Sequence, residues 1–456
     1  MPQRPRMLFS AFNEFVLSHH DQGLWAHPKS RQLELNSVEY WVEIARLLER
    51  AHFDLLFFAD VLATYDIYQG KRDAAVLSGM QTPINDPAVL APVLAYATEH
   101  LGIVVTENVL QEHPYSFARK MTTLDHLSKG RVGWNIVTSF LPGAGRNLGF
   151  GGLPTHEERY ARADDYMNVV YKLWEASWED DAVIRDIANQ RYVDPSKIHE
   201  INHVGPYYDV VGPHISEPSP QRTPVLFQAA ASDVGIDFAG RHAEVLFTSL
   251  ERSTAAANIA RLRGEAVAAG RRPEDVRIFG GFAFVLGSTE EEARRLDDEF
   301  REAQSLDAAF AKFSAFWQFD LDLLPRRAKL TDILNGEVAN DAVKKVARFS
   351  PDLDWTLEDF VRWIGSRRVV GTPEQVVREI EDWQDLGVDG LNISYVISPG
   401  TYEDFAEHLT PLLLQRGLMR HEYSPGTLRE KLFGKGPNLP DEHPARRVRR
   451  DALAAS

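Results

Sequence analysis

Short runs of apolar, β-branched and aromatic residues recur along the chain, each followed by a segment whose apolar positions repeat with helical spacing. Eight such runs stand out: Leu8 to Phe12, Leu55 to Ala59, Ile103 to Thr106, Val132 to Val137, Val225 to Gln228, Val245 to Thr248, Ile278 to Val285 and Leu391 to Val396. Eight β/α alternations predict an α/β fold, a TIM (β/α)8 barrel. The run Leu55-Leu56-Phe57-Phe58-Ala59 is apolar at every position, as expected of a parallel strand covered on both faces. The helix before it is legible from Asn36 as cap, Glu39 reaching back, and Val38, Trp41, Val42, Ala45 and Leu48 on one face. Before the eighth run, Thr372 caps, Pro373 takes the first turn, Gln375 closes a capping box, Val376, Ile380 and Trp383 face inward, and Gly387 ends the helix.

The barrel with its insertions is expected over residues 1–423 as one domain. Four stretches are too long for simple connections: 61–85, 140–155, 180–222 and 306–371. Segments this long serve as lids or interfaces, and three of them follow strand ends on the side where barrel active sites lie. Residues 424–456, with Pro437, Pro440, Pro444 and the basic run Arg446-Arg447-Val448-Arg449-Arg450, predict an extended C-terminal arm, its basic run solvated or docked on acidic neighbours.

Composition narrows the chemistry. A barrel can hold all 456 residues, and the formal charge of −16, from 66 acidic and 50 basic residues, leaves no basic face for a phosphate polymer. Small molecules are the expected partners, not nucleic acid. No apolar stretch is long enough to span a bilayer and the first residues lack a signal-peptide core, so a soluble cytoplasmic protein is expected. The absence of cysteine removes disulfides, thiolate nucleophiles and cysteine-ligated metals together, leaving redox chemistry to an organic cofactor or a non-thiolate metal.

Motifs that would redirect this reading are missing. The run Gly143 to Gly149 imitates a dinucleotide glycine fingerprint but has one residue too many and no βαβ context. A metal-dependent barrel hydrolase wants His-x-His after its first strand, whereas this chain has adjacent His19-His20, which diverge if the segment is extended. His199 and His203 read as surface or core histidines, and Asp125 and Asp165 as structural. What remains is a polar residue wherever a strand runs out: Asp60, Thr106, Asn135 to Ser139, and Gln228 to Ser232. In a barrel these converge on one mouth. Ser232 opens a helix and is either an anion site with the backbone N–H groups beside it or an ordinary cap. His156, Arg159 and Tyr160 share the start of another helix, and suit a phosphate or a flavin edge, or a capped helix with solvated charge. Trp134 either floors a ring site or fills the core.

At this point the residues resemble a family. Leu124-Asp125-His126-Leu127 with Gly130-Arg131-Val132-Gly133-Trp134-Asn135-Ile136-Val137-Thr138-Ser139, then Tyr171-Lys172-Leu173-Trp174-Glu175 with Ser177-Trp178-Glu179-Asp180-Asp181, is similar to the bacterial luciferase-like FMN-dependent monooxygenases of the nitrilotriacetate monooxygenase type. Gly23-Leu24-Trp25, Asn85-Asp86-Pro87, Glu112-His113-Pro114-Tyr115, the run Pro218 to Pro224 and the run Leu428 to Gly436 resemble the long-chain alkane and dimethylsulfide monooxygenase branch.

The resemblance implies reduced FMN, supplied by a separate NAD(P)H:FMN reductase, and a reaction with O2 through a flavin hydroperoxide that oxidises a small apolar or sulfur- or halogen-containing compound. It implies FMN contacts at Asp60, Thr106, His156, Tyr160 and Ser232, with Ala59 and Asn135 as neighbours of the ring. It places His19, Tyr65 and Gln81 as catalytic residues beside the flavin. Where the alkane enzymes carry a cysteine and a histidine, this chain has Val16 and Phe140, which make the substrate pocket more apolar. A homodimer or homotetramer is expected. A deazaflavin-dependent hydride transferase on the same barrel, or a flavin-binding protein without catalysis, are the alternative readings.

Overall fold

Eight parallel strands close on themselves: β1 (Leu8–Glu14), β2 (Leu55–Ala59), β3 (Gly102–Asn108), β4 (Val132–Val137), β5 (Val225–Ala229), β6 (Val245–Thr248), β7 (Arg277–Phe282) and β8 (Gly390–Ser394). Each pairs with the next, and β8 returns to β1. The computed structural model describes residues 6–229, 232–248 and 252–455. The expected run Ile278 to Val285 proves to be two strands: β7 makes its last pair at Phe282 with Ile393, and Phe284–Leu286 leaves the barrel to pair with Val369–Gly371. The rest of the barrel follows the apolar runs.

Leu8, Leu55, Phe57, Val104, Val225, Phe227, Val245 and Phe279 fill the barrel as one buried cluster. Alternate residues point outward beneath the helices, where Trp134 packs on Phe117, Tyr166 and Trp174, so this indole fills the core and floors no site. The helix α1 (Val38–Arg50) is capped by Ser37, not Asn36. Trp41, Ala45 and Leu48 face the core as expected, joined by Tyr40 and Ile44, while Val38 is exposed. Asn36 instead accepts from Asn85 at 2.8 Å. The helix before β8, α2 (Pro373–Asp385), carries the expected Thr372–Gln375 capping box.

The C-terminal arm holds more regular structure than its prolines suggest. Its short helix Leu428–Phe433 puts Leu428 and Leu432 into the N-terminal end of the barrel, and a Cβ at Gly102 would stand 2.5 Å from the Leu428 side chain. Its basic run, within the helix Pro444–Ala455, docks on acidic residues of the same chain: Arg449 meets Asp180 at 2.6 Å and Arg446 meets Glu175 at 3.4 Å. One end of the barrel is thus closed by the arm.

Three insertions cover the other end. Tyr65, Tyr68 and Met80 from 61–85, Leu141 from 140–155, and Phe310, Phe313, Trp317 and Phe360 from 306–371 form a second buried core. This roof is built on apolar packing of its own, separate from the barrel cluster. The insertion 180–222 stays outside the roof core and makes two antiparallel hairpins. Among the described residues no helix is long and apolar enough to cross a membrane.

Candidate active site

Between roof and barrel mouth lies a buried polar cluster. Glu14 ends β1, opposite Ala59 at the end of β2, and both of its carboxyl oxygens lie 2.5 Å from the amide of Gln81. His19 Nε2 stands 3.2 Å from Glu14 Oε1, and the buried Tyr65 phenol lies close enough to Gln81 and Glu14 to feel both. Roof helix α3 (Leu306–Phe316) lowers Lys312 into the same space, where its ammonium is 3.4 Å from His20 Nδ1 and from the His20 carbonyl oxygen. The rings of His19 and His20 do not diverge as an extended segment would have them. They lie 4.0 Å apart because the chain bends there. The bend is held by Asp21, whose carboxylate takes Arg368 at 2.6 Å, while Arg368 also pairs with Asp297 at 2.5 Å.

Burial dominates the electrostatics of this cluster. It pushes Glu14 up to about 8 against the pull of the Gln81 amide and Lys312, and pulls Lys312 down to about 8 although Glu14 and Asp21 favour its charge. Burial, reinforced by Lys312, holds His19 well below the ordinary histidine range. Tyr65 is raised well above the usual phenol value by burial and by the Glu14 charge, so it remains a phenol. Asp60, one residue past β2, rises to about 8 through burial and then the nearby charges of Glu14 and Asp86.

A second group sits on β3 and β4. Thr106 donates to the Phe58 carbonyl at 2.7 Å and accepts from the Asn135 amide at 2.8 Å, which leaves the buried Asn135 Oδ1 without a partner. Gly281 of β7 has open space where a Cβ would be.

A third group forms a cradle at the start of α4 (Asp233–His242). Ser232 caps it by accepting from the Gly235 N–H at 3.1 Å, and its hydroxyl lies 3.1 Å from His156 Nε2. His156 and Tyr160, one turn apart on α5 (His156–Tyr171), hold their rings 5.0 Å apart. Burial raises the Tyr160 phenol above its ordinary value against the pull of the neighbouring Thr138, Arg159, Gln228 and Ser232, side chains that join the cradle to the ends of β4 and β5. Arg159 turns aside to the Ser139 carbonyl. Ala230 and Ala231, within the stretch expected to line the mouth, lie outside the described residues.

The expected residues therefore fall into three neighbouring sets: His19, Tyr65 and Gln81 under the roof, Ala59, Asp60, Thr106 and Asn135 at the mouth, and His156, Tyr160 and Ser232 at the cradle. Val16 is buried in a bridge to Ile84, and Phe140 stands half exposed at the rim, packed on Tyr65 and Phe316. His199 and His203 take structural partners, Glu179 and Asp165, each at 2.9 Å. Glu14, Lys312, Phe316 and Gly235 were not anticipated. A signal existed for two of them: Glu14 is an acid ending a barrel strand, and Lys312 is a lone cation in the otherwise apolar run Ala308 to Phe316 apart from Ser314.

Comparison with known proteins adds a family. The profile of luciferase-like monooxygenases matches residues 12–390. The long-chain alkane monooxygenase of Geobacillus thermodenitrificans is 44% identical over 443 residues, covering 96% of this chain and 97% of that one. The solved structure of DmoA from Hyphomicrobium sulfonivorans is 40% identical and superposes with a TM-score of 0.93 over 99% of this chain and 97% of that one. A riboflavin lyase solved with modified FMN and riboflavin is 37% identical, with a TM-score of 0.88 over 98% of this chain and 100% of that one.

Proposed function

Because this chain belongs to the luciferase-like monooxygenase family, we propose that it is the oxygenase component of a two-component system, taking reduced FMN from a separate NAD(P)H:FMN reductase. Its substrate is a small apolar, sulfur- or halogen-containing organic compound. The observation that carries this reading is the cradle of Ser232, His156, Tyr160 and the Gly235 N–H beside the barrel mouth.

The residues fit the cofactor. A helix N-terminus with a hydroxyl, an imidazole and a phenol around it is a phosphate site, and a Cβ at Gly235 would fill it, 2.7 Å from the Tyr160 hydroxyl. On the barrel's inner face, Asn135 Oδ1 and Asn392 Oδ1 are buried acceptors without partners, suited to the N–H groups of a flavin edge. Ser232, His156 and Tyr160 would hold the phosphate, and Ala59, Asp60, Thr106 and Asn135 the ring. Bound reduced flavin supplies the two electrons needed to place one oxygen atom of O2 in the substrate and reduce the other to water.

The protein's part is to orient and to exclude water. The roof core shields the mouth, Phe140 and Phe316 form an apolar rim, and Val16 adds to the apolar lining of the pocket. His19, Tyr65 and Gln81 act on substrate under that roof, His19 as proton carrier and Tyr65 as a permanent donor.

The test is anaerobic titration with reduced FMN, followed by mixing with oxygenated buffer and a panel of apolar, thioether and halogenated compounds. Tight binding of the reduced form, slow reoxidation and a fall in hydrogen peroxide yield with some compounds are expected. Reoxidation at the rate of free FMN with full peroxide yield throughout would reduce the chain to a flavin-binding protein. Turnover with reduced deazaflavin and no oxygen uptake would make it a hydride transferase.

A further inference from the structure

His19 uses one ring nitrogen and leaves the other free. Nε2 faces Glu14 Oε1 at 3.2 Å, whereas Nδ1 is buried without a partner. Glu14 is 3% exposed, ends a barrel strand, and is gripped through both oxygens by the Gln81 amide at 2.5 Å. Gln81 is anchored in turn by its backbone N–H, which donates to the Ser18 carbonyl at 3.2 Å. The carboxyl therefore sits on the rigid barrel wall, while His19 sits on a bend beyond it. A ring on a loop takes its orientation and tautomer from the fixed group that it meets.

We propose that Glu14 is a positioning residue whose carboxyl decides which nitrogen of His19 carries the ring proton, and hence whether Nδ1 meets the substrate side as donor or acceptor. The consequence for catalysis rests on the assignment of His19 to the substrate pocket. As a carboxylate, Glu14 draws the ring proton electrostatically to Nε2, 3.2 Å from Oε1, and Nδ1 presents a lone pair. As a carboxylic acid it donates its O–H to Nε2, and the ring proton resides on Nδ1. One proton taken up by Glu14 thus changes the tautomer while the imidazole stays neutral.

The surroundings favour such an exchange. The titratable groups facing the pair are Lys312 from the roof, His20 from the same bend, Asp60 past β2, Tyr65 from the first insertion and Tyr395 past β8. Of these only Lys312 is a cation when charged at neutral pH, since burial holds both histidines neutral. Glu14, pushed up to about 8, and Lys312, pulled down to about 8, each feel the other's charge in the slightly alkaline range.

Selective 15N-histidine labelling of the flavin-free chain reads the tautomer directly, with a H19N variant assigning the His19 signals. Between about pH 6 and about pH 9, wild-type His19 should remain neutral and change its major tautomer around the Glu14 midpoint near 8. E14Q should hold one tautomer throughout, E14D should restore the change, and K312M should move the midpoint alkaline by about one unit or more. Identical pH courses for E14Q and wild type, or conversion of His19 to imidazolium near the ordinary histidine value, would overturn the assignment. If E14Q does not fold, an unmoved midpoint in K312M overturns it instead. These spectra need no flavin, so failure to bind reduced FMN would sink the monooxygenase reading alone, and an indifferent His19 would sink only the role of Glu14.

Discussion

The Ser232 hydroxyl stands 3.1 Å from Nε2 of His156, linking the cap of α4 to the first residue of α5. Two helices that follow different barrel strands thus meet at one oxygen, at the N-terminus of α4. Replacing Ser232 by Ala should weaken reduced FMN about tenfold, the loss of one charge-assisted contact, and lower stability by about 1 kcal/mol through loss of the cap. Equilibrium titration and thermal melts of the same preparation separate the two effects.

Gly235 gives a cleaner test of the cradle. Alanine there would improve helix propensity by about 1 kcal/mol, yet its Cβ would press on the Tyr160 hydroxyl at 2.7 Å and the Ser232 hydroxyl at 3.0 Å. G235A is expected to keep or raise the melting temperature while losing flavin affinity, and a second change, Y160F, should recover part of it. Equal flavin affinity in G235A and wild type would remove the phosphate from this position.

The rim rings of Phe140 and Phe316 lie 5.5 Å apart and each packs on Tyr65. Phe140→Ala and Phe316→Ala should admit water to the roofed space. Peroxide released per reduced FMN consumed should rise at least severalfold, with FMN affinity changed by no more than about twofold, since neither ring is among the proposed flavin contacts.

The proton on Asp60 carries a stability cost with a definite sign. Its folded-state pKa is raised to about 8 from 3.8, so its contribution is fully present below the unfolded value and is lost as pH rises toward 8. Glu14 acts in the same direction, and Lys312, lowered to about 8, titrates above that window. The flavin-free chain should lose melting temperature between about pH 5 and about pH 8, and Asp60→Asn should flatten the fall by about 2 °C or more. Parallel curves for the two proteins would show that Asp60 is ionised throughout.

Beneath the barrel, Arg429 and Glu244 pair at 2.7 Å with side chains 2% and 1% exposed, and Arg429 also donates to the carbonyls of Thr223 and Pro224. Removing one partner strands a buried charge, so R429M or E244Q should cost about 3–5 kcal/mol, measured by denaturant unfolding. A loss below about 1 kcal/mol would mean that the arm contributes little to closing the barrel.

Much of the fold is legible in the chain itself. Parallel barrel strands are buried on both faces, so their apolar runs are continuous, and a period of two or of 3.6 is written in local sequence. The α2 capping box is equally local, because its partners are three residues apart. Errors arise where the decisive contact is distant. Asn36 and Ser37 are both good caps, and only the competing bond from Asn85 assigns Asn36 elsewhere. Val285 belongs to an apolar run with β7, and only the limit of β8 and the presence of Val370 decide that it pairs outside the barrel.

The candidate site divides along the same line. Residues at strand ends and helix starts, such as Asp60, Thr106, His156 and Ser232, are marked by their position in the β/α repeat, which by itself determines that they gather at one mouth. The sequence also determines, by holding no cysteine, that thiol chemistry is absent. Only the tertiary structure sets Glu14 against His19 and Lys312 above them, because these residues are brought together by a bend and an inserted roof with no fixed sequence spacing. Their protonation is decided there too: one carboxyl is an ordinary acid in water and is raised to about 8 once the roof removes its solvent.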